Sequence, residues 1–193
     1  MPADRAMPPP DRTVALVGLM GAGKSAIGRR LAHRLGLPFV DADAEIEAAA
    51  ACTIEEFFER YGEAQFRAGE RRVIQRLLDG PPIVLATGGG AFMDAQTRAV
   101  MRQRAITVWL RAELPVLMDR VGRRGNRPLL KQDDPETVLR RLMAVRYPVY
   151  AEADITVDSR DAPAERTTDD VMVALTDFLQ TGARAPTPAG AAP

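Results

Sequence analysis

The eight residues GLMGAGKS at positions 18–25 constrain this chain more than any other stretch. They fit G-x-x-x-x-G-K-[ST], a pattern whose meaning depends on a strand before it and a helix after it. Both are expected here: Thr13–Val17 (TVALV) is an apolar, β-branched run, and a helical pattern extends from Lys24 to about Leu35. In that setting the glycines let backbone N–H groups turn inward and cradle phosphate oxygens, and the start of the helix adds its partial positive charge. Gly21, Ala22, Gly23, Lys24, Ser25 and Ala26 are therefore expected to hold the phosphates of a nucleotide. Lys24 would reach the β- and γ-phosphates, and the Ser25 hydroxyl would ligate Mg²⁺. The loop alone does not separate GTPases, ATPases, nucleotide kinases and metabolite kinases.

Further apolar runs stand at residues 39–40, 83–86, 106–110 and 155–157. They lack polar alternation, which points to parallel strands covered on both faces. Helical stretches alternate with them and carry start signals. Thr53-x-x-Glu56 is a capping box, and Asp134-Pro135 offers an N-cap followed by Pro at the first helical position. In the last helix Val171, Leu175, Phe178 and Leu179 are expected to share the buried face. Alternation of this kind gives an α/β fold with helices on both sides of the sheet.

Residues 13–181 of the 193 read as one such domain. Residues 1–12 and 182–193 are rich in Pro and poor in large apolar side chains, so both are expected to be disordered tails. With 26 basic and 26 acidic residues there is no basic excess, and nucleic acid is not an expected partner. No apolar run approaches the roughly 18 residues of a membrane span. The N-terminus has no apolar signal core, and the single Cys52 fits a reduced compartment and a packing role. A cytoplasmic protein is expected.

Three later features concern a second substrate. Asp41-Ala-Asp43 follows the strand at residues 39–40. Ligands collect at the carboxyl ends of strands in an open α/β sheet, and residues two apart on an extended segment point the same way. Both carboxylates are thus expected to face one cleft, suited to holding metal-bound water and to accepting a hydroxyl proton. Asp43 equally suits capping a helix that begins at Ala44, and the two roles are not exclusive. Arg67 and Glu70 share a face of a helix expected over residues 63–78, so Glu70 can hold the guanidinium toward a ligand carboxylate. An ordinary solvated helix pair is the alternative. Gly88, Gly89 and Gly90 either let the backbone approach a ligand closely or form a flexible turn.

Arg67-x2-Glu70-x3-Ile74, then nine residues, then VLATGGGAF at residues 84–92 resembles the signature of the shikimate kinases. GLMGAGKS, Asp41-x-Asp43, NRPLL at residues 126–130 and Arg146-Tyr-Pro-Val-Tyr150 resemble the same family in order and spacing, so that the likeness covers residues 13–179. It implies a three-layer α/β/α fold with a five-stranded parallel sheet in order 2-3-1-4-5, the P-loop NTPase fold of nucleoside-monophosphate-kinase type. It also implies ATP and shikimate as substrates, shikimate 3-phosphate and ADP as products, Mg²⁺ as cofactor, and a monomer. By the same resemblance Asp43 would bind shikimate hydroxyls and orient or deprotonate the attacking one. Asp41 would hold Mg²⁺ through water, Arg67 and Arg146 would bind the carboxylate, and Gly88, Gly89 and Gly90 would give backbone contacts.

Residues 122–134 hold Arg123, Arg124, Arg127 and Lys131 between two helices, with Gly122 and Gly125 placed to hinge. Such a loop could close over the phosphates and exclude water, or be merely a solvated charged loop. The resemblance makes Arg127 the inserted cation, catalytic together with Lys24 and Asp43, and sets Arg124, or its neighbour Arg123, on the adenine. Taken alone, Arg146 could simply complement the dipole near a helix C-terminus. His33 and Trp109 receive no catalytic role. Two other readings fit parts of the sequence. A gluconate kinase of this fold gives no reason for Arg67-x2-Glu70 ahead of the glycine triplet, and a non-catalytic nucleotide-binding module gives none for Lys24, Asp43 and Arg127 together.

Overall fold

The computed structural model describes residues 9–123 and 134–182. Five strands, β1 (Thr13–Val17), β2 (Phe39–Asp41), β3 (Val84–Ala86), β4 (Ala105–Arg111) and β5 (Ile155–Asp158), form one parallel sheet in the order β2-β3-β1-β4-β5. This is the order that the family resemblance implied. Around it lie α1 (Lys24–Leu35), α2 (Ala42–Ala50), α3 (Ile54–Leu78), α4 (Ala95–Arg104), α5 (Leu114–Gly122), α6 (Pro135–Tyr150) and α7 (Ala164–Thr181).

Successive strand side chains point to opposite faces, and both faces are covered. Val14, Leu16, Ile106 and Val108 pack with Ile27 and Leu31 of α1 and with Val171 and Leu175 of α7. Ala15, Val17, Leu85 and Trp109 pack on the other face with Ile74, Met101, Leu117, Leu139 and Tyr150. That is why β1 is fully buried along its length and shows no alternation in sequence. Trp109 is a core residue, 3% exposed, with the Tyr147 ring edge-on at 5.0 Å.

Some local expectations shift. Leu179 is 39% exposed and off the buried face of α7, whose inner row is completed by Thr168 a turn before Val171. A step of eight from Val171 overshoots the stripe that Leu175 and Phe178 follow. Cys52 is only half-buried, in the turn between α2 and α3. The Thr53–Glu56 capping box forms as expected, the Glu56 N–H donating to Thr53 Oγ at 3.2 Å and the Thr53 N–H to Glu56 Oε at 2.9 Å. It starts α3 nine residues before the helix expected from residue 63. The two pieces are joined across Gly62, whose φ of 76° and ψ of 173° break the helix. A left-handed φ of that kind favours glycine.

Candidate active site

The candidate groups among the described residues gather at the carboxyl ends of the strands, where the parallel sheet leaves a crevice. The loop after β1 turns through Gly21 and Gly23 at φ 82° and 94°, values that L side chains rarely adopt. Gly23 is the N-cap of α1 and contributes no side chain, so none of the described side chains caps that helix start. Its first N–H groups are left to a ligand, as an anion-binding helix start requires. Lys24 folds over the loop and donates through Nζ to the carbonyls of Gly18 at 2.7 Å and Leu19 at 3.0 Å.

Asp41 and Asp43 do not lie together on an extended segment. Asp41 ends β2, while Asp43 stands in the first turn of α2, which begins at Ala42 rather than Ala44. The N-cap is Asp41, not Asp43: Asp41 Oδ1 accepts from the Asp43 N–H at 3.1 Å. The other Asp41 oxygen accepts from Ser25 Oγ at 2.8 Å. With its backbone N–H donated to Asp41, Asp43 has its carboxylate turned into a small cavity of about 120 Å³ that Lys24, Ser25, Asp41 and Thr87 also line. Burial pushes the Asp43 carboxyl above its ordinary range, Asp41 pushes it further, and Lys24 pulls it back.

The glycine triplet is where the acceptor side closes up. A Cβ on Gly88 would lie 2.7 Å from Asp43 Oδ1 and 2.9 Å from Glu70 Oε1. On Gly90 it would lie 2.5 Å from Arg67 Nη2, and on Gly89 3.3 Å from Arg146 Nη1. The triplet is therefore needed for the approach of the protein's own charged side chains. Arg67 Nη1 donates to Glu70 Oε2 at 2.6 Å, and Glu70 is 2% exposed, its carboxyl raised by burial although Arg67 opposes the shift. Here a buried carboxylate holds a half-buried guanidinium in place, which differs from the solvated alternative. Arg146 Nη1 donates to the Gly89 carbonyl at 2.9 Å, and the Tyr150 hydroxyl donates to the same oxygen. Arg146 sits a full turn inside α6 and is engaged with the glycine turn rather than the end of its own helix. A second cavity of about 340 Å³ opens between Arg67, Gly90 and Arg146.

Two residues escaped sequence reasoning. Arg120 of α5 donates through Nη1 to the Gly21 carbonyl at 3.2 Å and to Ser159 Oγ at 2.8 Å. Ser159, 1% exposed, in turn donates to the Ala22 carbonyl at 2.9 Å. Together they brace the phosphate loop from behind, beside a cavity of about 250 Å³ lined by Gly21, Gly23, Arg120 and Arg123. Neither residue stands in a recognisable motif. Their partners lie on other elements, and no local spacing announces the contact. Arg124 and Arg127 lie outside the described residues.

Ser25 and Asp41 supply two hard oxygen donors side by side, and among the described residues no cluster of three His, Cys, Asp or Glu could hold a metal ion. Two hard oxygen donors of this kind suit a divalent cation that completes its shell with water and phosphate oxygens.

The sequence profile for shikimate kinase matches residues 20–176. A shikimate kinase of Rhodopseudomonas palustris is 61% identical over 169 residues, covering 88% of this chain and 83% of that protein. One from Paramagnetospirillum magneticum is 60% identical over 168 residues, covering 87% and 86%. Among solved structures, the shikimate kinase of Acinetobacter baumannii in complex with shikimate superposes with a TM-score of 0.82 at 39% identity, covering 87% of this chain and 95% of that one.

Proposed function

The chain belongs to the shikimate kinase family, and on that footing we propose that it transfers the γ-phosphoryl group of ATP to the 3-hydroxyl of shikimate, giving shikimate 3-phosphate and ADP. The step belongs to chorismate and aromatic amino-acid biosynthesis. The observation that carries the reading is the convergence of Arg67, Arg146 and Asp43 on one glycine turn beside the phosphate loop. A carboxylated, hydroxylated ring fits it: two fixed guanidiniums for the carboxylate, and a raised carboxyl one step further in for a hydroxyl.

The phosphates of ATP bind the N–H groups of residues 21–26 and the Lys24 ammonium. Shikimate binds with its carboxylate on Arg67 and Arg146, against the backbone of Gly88, Gly89 and Gly90. Asp43 takes the hydroxyl proton as the new O–P bond forms and the bond from Pγ to the bridging oxygen of ADP breaks; the proton then passes to solvent. Ser25, and Asp41 through water, would hold Mg²⁺, which would supply neutralisation of phosphate charge. By the family resemblance residues 122–134 would form the lid of a kinase domain over residues 13–181, and Arg127, outside the described residues, would bring the cation that meets the transferred group. The family resemblance would set Arg124, which lies outside the described residues, or its neighbour Arg123 on the adenine; Arg123 and Arg120 line the cavity of about 250 Å³ beside the phosphate loop. A monomer is proposed on the family resemblance alone. No described helix is long and apolar enough to cross a membrane, in keeping with a cytoplasmic enzyme.

ADP release on adding shikimate, compared with gluconate and with no acceptor, tests the reading; equal release in all three arms would refute it. Arg67→Ala and Arg146→Ala should each weaken shikimate binding roughly ten- to a hundredfold, the worth of a charged hydrogen bond, and hardly alter ADP binding. Calorimetric titration with each ligand separates the two, and equal losses for both would misplace these arginines. Gly88→Ala should push Asp43 and Glu70 off their positions. A turnover loss of about a hundredfold is expected, the effect of displacing a catalytic group by an ångström. Unchanged kcat in the Gly88→Ala enzyme would mean that Asp43 is not held where the chemistry occurs.

A further inference from the structure

The cavity between α3 and α6 is bounded by Glu63, Arg67, Gly90, Arg141, Val145 and Arg146. Two of its three arginines are already committed: Arg67 to Glu70 at 2.6 Å and Glu63 at 3.4 Å, Arg146 to the Gly89 carbonyl at 2.9 Å. Arg141 is exposed at the outer edge and pairs with no carboxylate among the described residues, whereas its neighbour Arg140 is held by Glu136 at 2.6 Å. Around this mouth both carboxylates, Glu63 and Glu70, pair with Arg67, and Arg146 meets only a neutral carbonyl; Arg141 and Arg146 therefore keep their positive charge, and Arg141 is the one at the exposed rim. Further in, Lys24 stands against both Asp41 and Asp43, and the phosphates of a bound nucleotide would add more negative charge.

We propose that Arg141 is a capture residue: it makes the entrance of the acceptor cavity attractive to an anionic substrate and hands the carboxylate inward to Arg67 and Arg146, without touching the reacting atoms. The inference rests on the carboxylate-binding reading of this cavity. A charge at the rim acts through a field, so it changes the rate of productive encounter and its salt dependence rather than the chemistry. It also depends on charge rather than on the geometry of the fork. One unit charge several ångströms from an incoming carboxylate, at a solvent-exposed edge, corresponds to about two- to fivefold in kcat/KM.

The test is steady-state kinetics of Arg141→Gln, Arg141→Glu and Arg141→Lys beside the unaltered enzyme. Ionic strengths of roughly 0.02 and 0.3 M would bracket the point where the screening length falls to about 10 Å. At low salt, kcat/KM for shikimate should fall about two- to fivefold in the Gln variant, further in the Glu variant, and hardly at all in the Lys variant, with kcat and KM for ATP unchanged. At high salt the four enzymes should converge. An unaltered kcat/KM in Arg141→Gln, a loss that salt does not reduce, or an Arg141→Lys enzyme as poor as Arg141→Gln would each overturn the proposal. Absence of shikimate-dependent turnover in the unaltered enzyme would overturn the reading it rests on, a result that looks different from all of these.

Discussion

Asp43→Asn should lower kcat for shikimate phosphorylation about a thousandfold, within the range for a lost general base, while the protein stays folded and ADP affinity barely changes. Asparagine keeps the volume and one acceptor oxygen but cannot take the hydroxyl proton. The environment of Asp43 gives the role a pH signature. Burial first, and Asp41 second, raise its carboxyl above the ordinary aspartate range, with Lys24 and Arg67 opposing. Activity that needs the carboxylate should therefore fail on the acid side at a higher pH than an ordinary aspartate would give, and residual Asp43→Asn activity should lack that limb.

Stability should move the other way. Between the ordinary and the raised pKa the native state binds more protons than the unfolded one, so this residue's contribution is greatest at low pH and declines as pH rises through that window. At neutral pH the ionised, half-buried Asp43 destabilises the fold, and Asp43→Asn should melt higher than the unaltered protein there and lose the advantage near the ordinary aspartate range. Pre-steady-state turnover and thermal unfolding at the two pH values check both halves. A kcat near that of the unaltered enzyme would reduce Asp43 to a binding group.

How far the chain could be read without coordinates depended on whether a feature was local. The phosphate loop was legible because its requirements are backbone requirements: Gly21 and Gly23 need left-handed torsions, and the strand and helix that confirm them are adjacent in sequence. The capping box at Thr53 was legible for the same reason. The order of the five strands was not; periodicity shows that strands exist and are buried, and only the family resemblance ordered them. The cap at the start of α2 lies two residues before the one expected from sequence, since two aspartates flanking one alanine carry the same capping propensity. What decides between them is that β2 runs on through Asp41 and places its carboxylate beneath the Asp43 N–H.

The glycine triplet shows the limit most clearly. Its composition announces a close approach, but the approaching groups come from α2, α3 and α6, up to 57 residues away in the case of Arg146 and Gly89. Arg120 and Ser159 left no trace at all, because a buried serine and an arginine without a motif look like ordinary surface and loop residues until they are seen to meet at the back of the phosphate loop. Glu70 lies between these cases. Its spacing from Arg67 was plain in sequence, yet the same spacing is common in solvated pairs, and its burial to 2% exposure is what sets it apart.

Lys24→Ala should reduce kcat/KM for ATP by at least about a thousandfold, the scale on which single positioned cations and donors contribute to phosphoryl transfer. The ammonium rests on the carbonyls of Gly18 and Leu19, at 2.7 and 3.0 Å. Phosphate oxygens are better acceptors for it than neutral carbonyls, because both partners are then charged. It is therefore placed to move a short distance onto a ligand rather than to hold the loop shut. Lys24 is only partly buried and belongs to neither hydrophobic cluster, so the alanine variant should melt within a few degrees of the unaltered protein. Lys24→Arg should recover little, since a planar fork cannot take the place of a compact charge fixed by two carbonyls on one strand of loop. There is also a coupled effect. Lys24 holds the Asp43 carboxyl down, so its removal should carry the acid limb of any residual activity to still higher pH. Near-normal turnover in a folded Lys24→Ala protein would remove the phosphate loop from the reaction. A collapse in melting temperature alongside the lost activity would instead make Lys24 a support of the loop, and the charge that meets the γ-phosphate would then have to come from the arginines of residues 122–134.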